Sequence, residues 1–204
     1  MDNAVTLVQA YLRLNGYFTI TEFPIVEAIK YGGHRTATDI DVMAVRFPGA
    51  GRLVTQSGKR SRHDRLITGV DPALGVSLDD ADMIIGEVKE GKAQINQGGR
   101  EPSVLRTALV RFGCCHEEKV SGMVDSLIQH GHAQTHHGHK IRLVAFGSIL
   151  PESNPGYLTI GLGHIIDYVK GYLEENWDVF RVTELKDPAL GFLSTMIKSS
   201  RVPS

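Results

Sequence analysis

Two apolar runs in this chain carry carboxylates at strand spacing, and they constrain the fold more than any other feature. The first is Thr38-Asp39-Ile40-Asp41-Val42-Met43-Ala44-Val45, and the second is Asp82-Met83-Ile84-Ile85-Gly86-Glu87-Val88-Lys89. Side chains along a strand alternate between the two faces of a sheet. Ile40, Val42 and Ala44 therefore share one face of the first run, and Asp39 and Asp41 the other. In the second run Glu87 and Lys89 share a face, with Gly86 and Val88 opposite. Carboxylates inside buried strands are costly unless a metal ion or a counter-charge compensates them. If the two strands pair, their carboxylates lie within one strand spacing, about 4.8 Å. At that distance they repel, so their pKa values rise or they bind a hard divalent cation.

The triplet Glu-x-Lys alone says little, because it occurs at Glu87, Glu90, Glu117 and Glu184. Only at Glu87 does the charged pair emerge from an apolar strand, Met83-Ile84-Ile85. The bland alternative is a solvated edge strand with a surface ion pair, worth less than about 1 kcal/mol.

Around these runs the pattern is mixed α/β. A helix is expected over 4–14, with Asn3 as N-cap and Asn15-Gly16 as its end. A strand follows over Tyr17–Phe23, stopped by Pro24. Gly32-Gly33 reads as a turn, Thr38–Phe47 as a strand, and 51–81 as a long polar connection with weak strand character at 52–55 and 66–70. Helical potential lies around Ala93–Gln97. Helices are expected at Ser103–Phe112 and Glu117–His130, then a hairpin over 132–146 turning at Gly138. A short strand at Tyr157–Leu162 and a helix at Ile165–Trp177 come next. The pentapeptide DPALG occurs at 71–75 and 187–191, and each copy reads as a capped turn, the second opening a last helix.

The chain has 22 Lys and Arg against 23 Asp and Glu, so a nucleic-acid role must rest on a local patch. Arg52, Lys59, Arg60, Arg62 and Arg65 supply one, opposed by Asp64 alone. No run approaches eighteen apolar residues, so no membrane span is expected. The two cysteines, Cys114 and Cys115, are adjacent and cannot staple distant segments, which suits a reducing, cytoplasmic location. Five of nine histidines fall within 130–139, but their spacing with the cysteines fits no zinc pattern. They are expected to decorate a hairpin.

The two strand motifs resemble those of the PD-(D/E)xK, or restriction-endonuclease-like, nuclease superfamily. The resemblance covers residues 4–100 by motif and 140–165 by element order. It implies an αβββαβ core with a mixed sheet in one domain over 1–204, and 103–146 as an inserted helical and hairpin appendage. It implies that Asp41, Glu87 and the carbonyl of Val88 hold Mg²⁺ or Mn²⁺, and that Lys89 orients the attacking water. Asp39, Gln94 and Gln97 match auxiliary positions, the glutamines on the helix after the third core strand. Two departures stand out: Thr38 and Asp39 replace the motif's proline, and the first helix has no glutamate. The implied activity is metal-dependent phosphodiester hydrolysis, with DNA as substrate. The alternative is an inactive nuclease-fold subunit, binding or scaffolding within a larger nucleic-acid-processing or defence complex. A protein partner or a second copy then contributes the affinity that the near-zero net charge does not.

Overall fold

A computed structural model describes residues 2–55, 64–114, 116–135 and 137–201. Lys59, Arg60 and Arg62, named above, lie outside the described residues, as do Cys115 and His136. The fold is α/β, with a mixed sheet between two helical layers. Its elements are α1 (Asn3–Leu14), β1 (Phe18–Ala28), β2 (His34–Arg46), β3 (Arg52–Val54), β4 (Arg65–Ile67) and β5 (Asp82–Lys92). There follow α2 (Pro102–Phe112), α3 (Glu117–His130), β6 (His132–Gln134), β7 (Lys140–Ile149) and β8 (Leu158–Gly161). The chain closes with α4 (Leu162–Glu175), α5 (Trp177–Phe180) and α6 (Pro188–Ser200).

The sheet runs β1-β2-β5-β7-β6, and β8 also pairs with β7. β2 is antiparallel to β1 and to β5, β5 and β7 are parallel, and β3–β4 form a separate ribbon. On one face Val42, Ala44, Ile84, Val88, Val144 and Phe146 pack against α1, α4 and α6. On the other, Met43, Ile85, Ile141 and Leu143 share a core with Leu105 and Leu109 of α2 and Val124 and Leu127 of α3. Both faces are thus covered, as strands with so few polar residues require.

Several elements differ from the sequence reading. Asp2, not Asn3, caps α1; its carboxylate accepts the N–H of Ala4. β1 runs through Pro24 to Ala28, because it is an edge strand, where a proline is tolerated. Ala93–Gln97 is not helical; Ala93 N–H donates to the Ile149 carbonyl and Ile95 N–H to the Tyr157 hydroxyl. The segment 103–146, set apart by the sequence as an appendage, supplies one helical layer and β7, which lies inside the sheet beside β5. Both DPALG copies are capped turns: Asp71 and Asp187 each accept the N–H of the alanine two residues on.

Buried polar pins hold the long connection between β2 and β5. Arg46, fully buried, donates to the carbonyls of Asn15 and Ser77. Asp71 accepts from Tyr11 (2.8 Å), and its imidazole partner His164 lies at 2.6 Å. At the start of β5, Asp82 accepts from Tyr17 (2.6 Å) and Arg142 (2.8 Å), and Arg142 also donates to the Leu74 carbonyl. Arg142→Met leaves Asp82 a buried, uncompensated charge. The variant should lose about 3–5 kcal/mol in urea unfolding at pH 7; a loss under about 1 kcal/mol would show that the pair is not structural.

Candidate metal site

β2 and β5 converge on a carboxylate pair. Their register, Val42 opposite Gly86, puts Asp41 next to Glu87 one step further along. Gly86 permits this approach, since a Cβ there would lie 2.5 Å from Val42 Cγ1. Asp41 Oδ2 accepts the backbone N–H of Val88 at 2.7 Å. In an antiparallel ladder a residue's N–H and C=O point at the same neighbour. The Val88 carbonyl therefore lies on the Asp41 side of β5.

The strands are irregular here. β1 pairs with β2 through Thr21–Val42 and Phe23–Ile40, skipping Glu22 and Asp41, and Glu22 has φ of 52°. Face alternation resets at this point: Ile40 packs toward α2–α3, whereas Val42 and Ala44 face α1–α4. The shared face expected for Ile40 and Val42 is thus broken, which accompanies the turn of the Asp41 carboxylate onto the Val88 amide.

Glu87 is 6% exposed. Its Oε1 lies 2.5 Å from Lys89 Nζ and 2.6 Å from Asn96 Nδ2. Burial pushes its carboxyl above the ordinary range; hydrogen bonds from Lys89 and Asn96 oppose that shift, and the charge of Asp41 adds to it. For Lys89, burial disfavours the ammonium, but the hydrogen bond and charge of Glu87, with Asp41 and Asp2, outweigh it and raise its pKa. Lys89 therefore stays protonated at neutral pH and donates to Glu87.

Asn96 is the contact of Glu87 that sequence reasoning missed. Its amide holds Glu87 while its Oδ1 accepts the N–H of Gly99. A Cβ on Gly99 would stand 3.2 Å from Glu87 Oε2. The Asn-Gln-Gly-Gly composition of 96–99 signals a turn, but not that the turn closes over a carboxylate. Asp39 lines the same small recess as Glu87 and Gly99. Gln94 and Gln97 are exposed on the non-helical segment.

The described cationic residues of the predicted patch lie elsewhere. Arg65 pairs with Asp178 at 3.0 Å and donates to Asn176, and Arg52 sits over the Phe180 ring. Both follow the Arg46 end of β2, about 16 Å of strand beyond Asp41, and they fasten the β3–β4 ribbon to the end of α4 and α5. Among the described residues no three His, Cys, Asp or Glu side chains are grouped to hold a metal ion. The Asp41–Glu87 site offers two carboxylates and a carbonyl. Comparison with family models, curated proteins and solved structures returned no match. No helix among the described residues is long and apolar enough to cross a membrane.

Because its folded pKa is raised, Glu87 favours the fold most below its unfolded pKa and costs stability as pH rises through the folded value. Without added metal, Glu87→Gln should gain stability relative to wild type between pH 4 and pH 7, read from urea midpoints. A difference that stays constant or shrinks would contradict the burial argument.

Proposed function

We propose that this protein is a metal-dependent nuclease acting on DNA, with Asp41, Glu87 and the Val88 carbonyl holding one Mg²⁺ or Mn²⁺. The reading is carried by one observation: carboxylates on adjacent strands lie close enough for the Asp41 charge to act on Glu87, which is buried and carries an ammonium. The donors fit a hard cation, which prefers oxygen ligands. The bound ion would polarise a phosphoryl oxygen as a Lewis acid. Lys89, held protonated by Glu87, donates to the attacking water and balances charge that develops on the phosphate. Asn96 fixes the Glu87 carboxylate. Support for the restriction-endonuclease-like plan comes from the order α1-β1-β2-β5-α2-β7, with β5 antiparallel to β2 and parallel to β7. Lys92, exposed, closes the strand that carries Glu87 and Lys89.

A second reading, an inactive binding or scaffold subunit, is favoured by one observation. Without a metal, Asp41 is already satisfied by the Val88 amide, and Glu87 by Lys89 and Asn96.

A cleavage assay on DNA with and without Mg²⁺ or Mn²⁺ separates the two. The nuclease reading expects metal-dependent turnover. Lys89→Ala should lower it about a hundredfold or more with metal binding largely intact, and Asp41→Ala should lose both. DNA binding without cleavage by wild type favours the scaffold, and cleavage unchanged by Lys89→Ala and Glu87→Gln would place the chemistry elsewhere.

A further inference from the structure

A second cleft opens on the far side of β7 from β5. β7 pairs with β6 over Lys140–Arg142 and with β8 over Val144–Gly147, which leaves a notch between the two partner strands. The end of α3 and the loop before β8 form its walls. They approach so closely that a Cβ on Gly131 would lie 2.1 Å from the Gly156 carbonyl. The cleft measures about 670 Å³, within the range of small-molecule sites.

We propose that this cleft binds a small phosphate monoester with a flat or apolar body, of which a nucleoside monophosphate is the simplest example. Lys140, His130 and His132 line it, and among the described lining residues there is no carboxylate. Lys140 makes no ion pair among the described residues, so its ammonium is the uncompensated charge. Arg142, 5% exposed, forms part of the floor, fixed by Asp82 and the Leu74 carbonyl. His132 Nδ1 donates to the His130 carbonyl at 3.0 Å, which leaves Nε2 to accept from a ligand when neutral or donate when protonated.

A helix C-terminus ordinarily repels an anion through its unpaired carbonyls. Here three carbonyls at that end of the helix have donors. Ile128 O accepts from Arg100, His130 O from His132, and Gly131 O from the Leu143 N–H. The remaining wall is mixed, with Leu74, Leu158 and Tyr157 beside Gln129 and Asn154. The Tyr157 hydroxyl is turned to the Ile95 N–H, so its ring is what meets the cleft. An ammonium and two imidazoles in one cleft with a ring and leucines match a phosphate carrying a base. This inference does not depend on the metal site.

The test is calorimetry and amide-resolved NMR of the full chain at low salt, with adenosine monophosphate, adenosine and inorganic phosphate as separate probes. Adenosine monophosphate should bind more tightly than either part, with shifts centred on Lys140, His132 and Tyr157. Lys140→Gln should weaken it about tenfold or more, the loss of one charge-assisted hydrogen bond. His130→Gln, at an exposed position, should weaken it in the same direction and guards against a folding defect in the first variant. No binding by any probe, equal binding of inorganic phosphate and adenosine monophosphate, shifts centred elsewhere, or affinity unchanged in both variants would overturn the proposal.

Discussion

The Glu87 carboxyl next to Asp41 is the constraint around which the middle of this sheet is arranged. Both side chains sit where two strands touch, and burial pushes the Glu87 carboxyl up. An uncompensated buried carboxylate costs several kcal/mol. The protein offsets that cost locally, with Lys89 two residues along the same strand, the Asn96 amide from the next turn, and the Val88 N–H for Asp41. Each of these needs a backbone adjustment. The ladder skips Glu22 and Asp41, Gly86 lets β2 approach, and Gly99 leaves room for Glu87 Oε2.

Adjustments of this kind hold only if the surrounding frame is rigid. The frame here is pinned by buried polar contacts at the other end of the strands. Tyr17, Asp82 and Arg142 tie β1's approach, β5 and β7 together, and Arg46 and Asp71 fasten the long polar connection to the core. Burial and the Asp82 charge hold the Tyr17 hydroxyl above its ordinary pKa, and burial and the Asp71 contact do the same for Tyr11. Both phenols therefore stay neutral donors throughout the physiological range. These buried polar contacts gather at one end of the sheet, and the Asp41–Glu87 pair lies toward the other.

Much of this was legible in the chain itself. Alternation marked β2 and β5 and put Glu87 on one face with Lys89, but the skipped pair at Glu22 and Asp41 breaks the shared face expected for Ile40 and Val42. The amphipathic helices and the two Asp-Pro caps were read in the same local way. What was missed depends on partners distant in sequence. Ala93–Gln97 has helical composition, but Ile149 and Tyr157 take its amides. Pro24 stops a strand only where a neighbour needs its N–H, and nothing local reveals that β1 is an edge. The 103–146 segment looked separable because its pairing with β5 spans some sixty residues, from Asp82 to Arg142. Asn96 fell within the helical reading of Ala93–Gln97, and Arg52 and Arg65 read as part of a basic loop, until their partners Glu87, Phe180 and Asp178 were in view.

The central claim is that Asp41 and Glu87 are ligands kept close by the fold. Anomalous scattering from crystals soaked in Mn²⁺ tests it most directly. The account predicts one manganese peak at the Asp41 and Glu87 carboxylates, absent in Asp41→Ala. Wild-type crystals with no peak there at saturating Mn²⁺ would contradict it.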